Sequence, residues 1–414
     1  MTDILFLSHR IPHPPNKGDK IRSHHLLRYL ATRYRVHLGT FIDDPDDLQY
    51  RDAVREICGE GETRFIELNP LVGKLRGLTG LLTGDPITLP FYRSPALSHW
   101  VSGLFKRHPI RAMVVYSSGA AQFTELPDGE GAVRLIDFVD VDSQKWAQYG
   151  REKRGPMGWI YRREARTLLE AERSIARQFD AGVFVSANEA NLFRSLAPES
   201  ATRIDHWNNG VDSDFFSPEH PFEDPYNGAP TLVFTGAMDY WANVEAVQWF
   251  AEAAFPMVRK AVPEAQFVIV GGRPSKAVRK LAEAPGVTVT GQVPDVRPHL
   301  GYARAAVAPL RIAQGVQNKV LEAMAMARPV VATSKAIEGI QTCPGMAPWI
   351  NDTPDAMARQ AIAWLTDAEA AHCEGARGRA CVLTHYNWEH NLDRVGALLT
   401  GLLKGRGMQE ETRS

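Results

Sequence analysis

The sequence predicts an α/β protein made of two doubly wound parallel sheets. Its 414 residues exceed the roughly 100–200 residues of a usual domain, which indicates two domains. Short apolar runs rich in β-branched residues alternate with longer amphipathic stretches, as in the βα units of a parallel sheet. A segment rich in Pro, Asp, Asn and Gly, residues 208–229, separates two sets of these units and is predicted to be the linker.

The first domain is predicted over residues 1–207. Each of its strand candidates is a short apolar run, and amphipathic segments lie between them. The candidates are residues 4–8, 36–41, 64–68, 113–117, 133–138 and 182–185.

The second domain is predicted over residues 230–384. Its strand candidates are residues 231–235, 266–270, 287–290, 305–308 and 330–333. Residues 385–404 have a helical pattern and are predicted to cross back to the first domain, and residues 405–414 are predicted to be a frayed tail. Ligands of open parallel sheets bind beyond the carboxyl ends of the strands. We therefore expect the active site in a cleft where the two sheets face each other.

Composition and charge exclude several classes of protein. The formal net charge is −1, so we expect no nucleic-acid partner. The four cysteines lack Cys-x-x-Cys spacing, which predicts neither a disulfide scaffold nor a zinc site. The first apolar run is too short for a signal peptide, and no run approaches the ~20 residues that span a bilayer. We expect a cytoplasmic protein.

A loop rich in Pro and Gly, residues 8–22, follows the first predicted strand with the sequence SHRIPHPPNKGDKIR. Doubly wound folds place a phosphate or acceptor loop at this position. Gly18 allows the turn, and Lys20 and Arg22 put positive charge at the helix entrance. We predict that these residues and Asp137, which ends a later strand, contribute to an acceptor or phosphate site.

A basic segment, residues 145–179, is interleaved with Trp146, Trp159 and Tyr161. At helical spacing it has an apolar stripe beside a basic one. Such a helix could lie against anionic lipid. A helix docked on the sheet with a solvated arginine face explains the same pattern, and both interpretations stay open.

The most informative stretch is residues 308–333, APLRIAQGVQNKVLEAMAMARPVVAT. It predicts a strand, a turn with Gly315, a helix from about Gln317 and a further strand. A helix that begins at the carboxyl edge of a sheet presents backbone N–H groups that suit a diphosphate. Glu322, on this helix, could accept hydrogen bonds from a ribose diol.

Two other strands of the second domain end in glycine. One runs into Gly236, followed by a loop and a helix for which Asn243 is the predicted N-cap. The other ends in Gly271 and Gly272, which let a ligand approach the backbone, followed by Arg273. Val293 follows a further strand and could contact a nucleotide base.

These stretches resemble the glycosyltransferase 4 family, which has the GT-B fold of two Rossmann-like domains. In that family Glu-x7-Glu precedes an Ala-Met-Ala run, Gly-x-Pro and a valine-rich strand. The second Glu falls on Glu322, which by resemblance binds the nucleotide ribose. The first falls on Gln314, which with Gly315 and Val316 would line the donor-sugar pocket.

The sequence departs from the family at the loop after Gly236. The family has Gly-Arg-x4-Lys there, and its two cations stabilise the departing diphosphate, but neither is present in this chain. Charge developing on a leaving group needs preorganised donors. The candidates for this role are Lys319 and Arg311, with Arg273 behind them.

A run of aspartates follows the strand that ends near residue 138. Its Asp-x-Asp pattern is also the metal motif of the other large glycosyltransferase fold, which has a single sheet domain. Because two sheets are predicted here, we expect a metal-free role for Asp137 or Asp140 toward sugar hydroxyls. Strand-end solvation and helix capping are the alternative roles.

The resemblance implies a metal-independent transferase that moves a sugar from a nucleotide-diphosphate donor to a hydroxyl with retention, without a cofactor. Three stretches, IDFVDVDSQKW, FTGAMDYWANVEAV and QGVQNKVLEAMAMARPVVAT, are most similar to the sugar transferases of exosortase/PEP-CTERM exopolysaccharide systems. The acceptor would be a saccharide or a lipid-linked saccharide.

Three other functions are weighed against this one. A sugar-nucleotide epimerase uses the same two-sheet fold and needs carboxylates placed for proton transfer. A catalytically degenerate nucleotide-sugar binder would explain the missing cations and Gln314. A dinucleotide oxidoreductase is disfavoured because no Gly-x-Gly-x-x-Gly follows a strand.

Overall fold

The computed structural model describes residues 1–15, 18–125, 129, 131–313, 315–341, 343, 344, 346 and 349–411. The chain divides into two compact units. The first contains Met1–Trp207 and Glu389–Ser414, and the second contains Asn208–Trp388.

The first unit is built on a parallel sheet of seven strands, in the order β3-β2-β1-β4-β5-β6-β7 among the described residues. All six residues of β1 are buried, as expected for a strand covered by helices on both faces. The strands are β1 (Asp3–Ser8), β2 (Arg35–Ile42), β3 (Thr63–Glu67), β4 (Ile110–Tyr116), β5 (Val133–Val139), β6 (Ala181–Phe184) and β7 (Ile204–His206).

Helices connect these strands and cover the sheet. They are α1 (Gly18–Ala31), α2 (Arg51–Cys58), α3 (Pro70–Thr83), α4 (Thr88–Phe91), α5 (Pro95–Arg107), α6 (Ser118–Ala121), α7 (Asp142–Glu152), α8 (Gly155–Gln178) and α9 (Ala187–Leu196). Helix α18 (Trp388–Glu411) joins this unit from Glu389 onward. There Asp393 accepts a hydrogen bond from the Tyr29 hydroxyl at 3.1 Å, and Arg394 donates to Asp205 at 2.8 Å.

The second unit has a parallel sheet of five strands in the order β10-β9-β8-β11-β12. These are β8 (Thr231–Thr235), β9 (Gln266–Val270), β10 (Val287–Gly291), β11 (Ala305–Ala308) and β12 (Val330–Ala332). Its helices are α10 (Trp241–Trp249), α11 (Phe255–Ala261), α12 (Lys276–Lys280), α13 (Arg297–Tyr302), α14 (Asn318–Ala325), α15 (Ser334–Ile337), α16 (Pro354–Thr366) and α17 (Ala368–His385).

The segment predicted to be a linker folds with the second unit. Val211 donates its backbone N–H to the Tyr386 carbonyl at 2.8 Å, and the Tyr226 ring is part of the core. Buried apolar side chains, which a composition argument overlooks, hold this Pro- and Asn-rich stretch in place.

A disulfide joins Cys343 to Cys381, with 6.0 Å between the two Cα atoms. The cysteine spacing did not predict this bond. The two cysteines are 38 residues apart, and their proximity depends on how the chain beyond α15 packs near α17, which cysteine spacing does not reveal. Cys58 and Cys373 remain free.

Among the described residues, no helix combines the length and the apolar character needed to cross a membrane.

Candidate functional site

The strand order of the second unit reverses between β8 and β11. The connection after β8 leads to one side of the sheet's centre, and the connection after β11 leads to the other. Doubly wound folds bind their ligands at the carboxyl ends of the strands beside such a point. The loop after β8 and helix α14, which follows β11, are therefore the two elements that a ligand would meet there.

The loop after β8 is held close to the end of β9. Gly236 has a φ of 153° and donates its N–H to the Val270 carbonyl at 3.0 Å. A Cβ atom built on Gly271 would lie 1.7 Å from the Gly236 carbonyl oxygen. Gly271 is therefore required by backbone contact. At Gly236 a Cβ would lie 2.8 Å from the side-chain Nδ2 of Asn243, and the positive φ of this residue favours glycine.

Lys319 reaches from α14 to this loop. Its Nζ donates to Asn243 Oδ1 at 2.6 Å and lies 4.3 Å from the centre of the Phe234 ring. A Cβ atom on Gly236 would stand 3.1 Å from the same Nζ. The lysine amine therefore lies beside the glycine loop, and its role in place of the missing family cations stays a prediction.

Asn243 is the residue that sequence reasoning placed wrongly. It lies within α10 rather than at its N-cap, which is Tyr240, and its Nδ2 donates to the Ala237 carbonyl at 2.9 Å. Its amide thus holds the loop with one end and Lys319 with the other. The available signal was a short polar side chain in the first turn of the helix, next to the glycine loop.

Lys319 and Glu322 are one turn apart on α14 and both are half-buried. Burial lowers the pKa of Lys319 to about 7, although Glu322 acts in the opposite direction. Burial likewise raises the pKa of Glu322 to about 7, against the effect of Lys319. Both groups are poised to change charge when a ligand alters their surroundings.

Three predicted donor residues lie between β11 and α14. Gly315 has a φ of 69°, and Gly339 packs so closely that its Cβ would lie 2.5 Å from the Gly315 carbonyl oxygen. Val316 packs against the core of the unit. Gln314 lies outside the described residues.

The other proposed cations are paired with carboxylates. Arg311 binds Glu245 of α10 through Nε at 2.7 Å and through Nη2, and its guanidinium lies 5.1 Å from the Trp249 ring centre. Arg273 pairs with Asp239 at 3.0 Å, and both side chains are largely exposed. Either arginine would have to leave its partner to reach a diphosphate.

Two more donor candidates follow β9 and β10. A Cβ on Gly272 would lie 3.6 Å from Gln292 Cβ, which places the two strand ends side by side. Val293 packs against the core.

In the first unit, the structure places the predicted loop cations inside the protein. Lys20 is 1% exposed and binds Asp47 at 2.7 Å. Arg22 is fully buried, pairs with Asp137 at 2.9 Å, and stacks 3.5 Å from the Trp207 ring centre. The sequence predicted that these two residues lie next to the loop, but it did not reveal their buried carboxylate partners. Gly18 begins α1 and is exposed.

Asp140 lies just beyond β5 in a strained turn. The preceding Val139 has a φ of 72°, which is unfavourable for a β-branched residue. Burial, together with the nearby charges of Glu189 and Asp142, raises the pKa of Asp140 to about 7. This carboxyl group can therefore exchange a proton near neutral pH.

The basic segment forms α7 and α8, which pack against each other. Its apolar stripe faces inward, since Leu168, Ile175 and Phe179 are buried. Arg173 and Arg177 both bind Glu199. Several apolar and basic residues that were predicted to face a lipid surface therefore contact other parts of the protein instead.

One family model matches part of the chain. Residues 229–367 match the family model described as Glycosyl transferases group 1. This range contains the glycine loop, Lys319 and Glu322. No curated protein matches the chain.

Several solved structures share the fold across nearly the whole chain. HepE of Anabaena, in complex with UDP-glucose, has a TM-score of 0.65 at 13% identity, covering 97% of this chain and 100% of that one. A glycosyltransferase from Rickettsia africae ESF-5 has 0.64 at 12%, covering 98% and 100%. A mutant of TarM from S. aureus, in complex with UDP among other ligands, has 0.63 at 11%, covering 96% and 100%. The predicted fold class, GT-B with two Rossmann-like parallel-sheet domains, is confirmed.

Proposed function

We propose that this chain, whose residues 229–367 match the glycosyltransferase group 1 model, transfers a sugar from a nucleotide-diphosphate donor to a hydroxyl acceptor. The observation that supports this most is the contact of Lys319 with Asn243 beside Gly236. In this contact the half-buried lysine amine lies at the reversal point of the sheet, within the residues that the family model matches. Glu322 lies one turn away on the same helix.

In this proposal the diphosphate binds between the Gly236 loop and the start of α14. Lys319 neutralises its charge, and the glycine backbone allows the close approach. The Glu322 carboxylate accepts hydrogen bonds from the ribose hydroxyls, which stabilises its ionised form.

The reaction breaks the bond between the anomeric carbon and the diphosphate oxygen and forms one to the acceptor oxygen. The acceptor proton passes to a donor phosphate oxygen. Lys319 acts on the leaving group, whose negative charge grows during the step, and the charge of the bound diphosphate favours the protonated amine. Arg311 and Arg273 can assist only after leaving Glu245 and Asp239.

Retention, metal independence and a role in exopolysaccharide synthesis rest on the resemblance to the glycosyltransferase 4 family and to PEP-CTERM-associated transferases. We assign the acceptor side to the first unit, with Asp140 toward the acceptor hydroxyls and Gly18 at the loop. A saccharide or lipid-linked saccharide acceptor, a cytoplasmic location and peripheral membrane contact through residues 145–179 complete the proposal.

Thermal shift with a panel of nucleotide sugars, starting with UDP-glucose, tests the donor site. One nucleotide sugar should stabilise the wild type but neither Lys319→Ala nor Glu322→Ala. Lys260→Ala, an exposed lysine at the end of α11, is the control and should respond like the wild type. If no nucleotide stabilises the wild type, the donor-site assignment fails.

Release of nucleoside diphosphate from that donor, with and without a metal chelator, then tests the reaction. Release that depends on an acceptor and is insensitive to the chelator supports a metal-independent transferase. Binding without release or transfer would identify a degenerate binding protein.

Epimerisation of the donor sugar is a second candidate, because Asp140 has a pKa near neutrality and could accept and return a proton. Incubation of the nucleotide sugar in heavy water, followed by proton NMR, distinguishes the two reactions. Exchange at a sugar carbon without nucleotide release would favour the epimerase.

A further inference from the structure

Helix α3 has its leucines on the outside and its glycines on the inside. The exposed fractions of Leu71, Leu75, Leu78 and Leu82 are 70%, 67%, 49% and 90%. Their spacing of four, three and four residues puts them on one face of the helix. Exposed contiguous apolar surface of this kind marks an interaction site.

The glycine face fixes α3 in this orientation. A Cβ on Gly73 would lie 2.7 Å from the Phe91 ring, and one on Gly77 would lie 2.7 Å from Ile87 Cγ2. Near the end of the helix, Arg163 of α8 donates to the Gly80 carbonyl at 2.6 Å. Because only glycine fits these contacts, α3 cannot rotate to bury its leucines without losing them.

Helix α8 extends the apolar surface. Trp159 lies one turn before Arg163, so it is on the side of α8 that contacts α3, and it is 58% exposed. Met157, at the start of the same helix, is 49% exposed. An exposed Trp beside exposed leucines is typical of a surface that enters a membrane interface.

The charge around this surface is positive. Residues 68–84 contain Lys74 and Arg76 and no Asp or Glu. Residues 145–166 contain seven Lys and Arg against two Glu, and one of these, Glu164, is buried on the backbone N–H groups of Ile87 and Thr88.

We propose that the outer face of α3, with Trp159 and Met157, inserts into the headgroup region of a bilayer that contains anionic lipids. Fourteen residues of helix span about 21 Å, and α3 would lie in the plane of the membrane. A second copy of the chain fits less well, because a twofold contact on this face would bring Lys74 and Arg76 against their own copies. This attachment rests on the membrane contact proposed above for residues 145–179 and adds α3 as the inserted element, and it does not depend on the proposed sugar transfer.

Co-sedimentation of the full chain with phosphatidylcholine vesicles, with and without phosphatidylglycerol, tests the proposal. The wild type should bind only the anionic vesicles. The triple variant Leu75→Ser, Leu78→Ser, Leu82→Ser should bind at least about tenfold more weakly. Leu383→Ser is the matched control, because Leu383 is an exposed leucine of α17 in the other unit, and it should bind like the wild type.

Thermal melting checks that the triple variant is folded. Its melting temperature should still rise with the nucleotide sugar that stabilises the wild type, so that loss of membrane binding is distinguished from loss of the donor site. Insertion is measured directly with an environment-sensitive dye on Leu78→Cys in a Cys373→Ser background, which should shift to the blue on anionic vesicles. The same dye on Leu383→Cys should not shift. Failure of the wild type to bind, binding that the serines leave unchanged, or a dimer in light scattering that the serines abolish would each overturn the proposal.

Discussion

Lys319 is a half-buried lysine whose charge depends on pH near neutrality, since its pKa is about 7. Above that pH the ligand-free site loses its cation, so binding of a nucleotide sugar must pay for protonation. Ionisation of Glu322, whose pKa is also about 7, acts in the opposite direction but gains less than the loss of the lysine charge costs. We therefore expect the affinity for the stabilising nucleotide sugar to fall roughly fivefold between about pH 6.5 and pH 8.5. Titration calorimetry across this range measures it.

Lys319→Arg provides the control for this prediction. Arginine keeps its charge throughout the range, so the variant's affinity should vary much less with pH. A wild-type affinity that does not change with pH would show that Lys319 does not meet the diphosphate.

Glu172 is a buried acid on α8 and lies outside the proposed donor site. It is 1% exposed and accepts the Ser143 N–H at 3.2 Å. Burial raises its pKa to about 8. The folded state therefore holds the proton more tightly than the unfolded state, and the free energy of unfolding decreases as the pH rises from about 4.5 to about 8.

Replacing this acid by Glu172→Gln removes that pH dependence. The variant should be more stable than the wild type at about pH 8.5, by on the order of a few kcal/mol. At about pH 5 the difference should disappear. Urea denaturation at the two pH values tests this, and a difference of equal size at both would contradict the assigned pKa.

Residue identity could be predicted from the sequence where the backbone itself demands it. Gly271 is an example: its position at a strand end indicated a close approach to the backbone, which was predicted for a ligand, and the structure shows the Gly236 carbonyl oxygen there. Lys20 and Arg22 show the limit. Their partners, Asp47 and Asp137, are 27 and 115 residues away, and only the folded chain shows that these charges are paired in the interior.

At the scale of elements, the strands were easier to predict than the helix faces. Nearly every strand lies at its predicted position, because buried parallel strands are continuous apolar runs. Strand β7 was missed because it has only three residues, Ile204–His206. Helix α3 shows why faces are harder: its leucine periodicity suggests a core-facing stripe, yet the glycines on its other side do the packing.

The disulfide between Cys343 and Cys381 should stabilise the folded state. It closes a loop of 38 residues, for which the chain-entropy model gives a stabilisation of up to about 4 kcal/mol. A reducing agent should lower the melting temperature of the wild type. Cys343→Ser should melt at the reduced value and should not respond to the reducing agent. Identical melting of the wild type with and without reductant would mean that the bond does not form in solution.

For the whole molecule, the two-sheet architecture followed from length and from the alternation of apolar and amphipathic segments. The sequence did not reveal which of the two units each segment belongs to. Residues 208–229 had the composition of a linker, but Tyr226 and Val211 contribute to the core of the second unit. Composition describes average polarity, whereas two apolar side chains are enough to anchor a segment.

Removal of residues 389–414 tests how much α18 contributes to the first unit. The loss of the contacts to Tyr29 and Asp205 should weaken hydrogen-exchange protection in α1 and β7. Protection in β8 and β11, in the second unit, should change little. Equal loss of protection in both units would contradict the independence of the second unit's core.

The first unit is made of two pieces of chain that are separated by 181 residues of the second unit, Asn208–Trp388. During synthesis, the ribosome releases the sheet of the first unit before the second unit and releases helix α18 only after it. The surface around Tyr29, which α18 covers in the folded protein, therefore stays uncovered while the whole second unit is translated. Domains made at roughly 5–20 residues per second would leave this surface exposed for about ten to forty seconds, an interval in which a chaperone would have its best opportunity to bind.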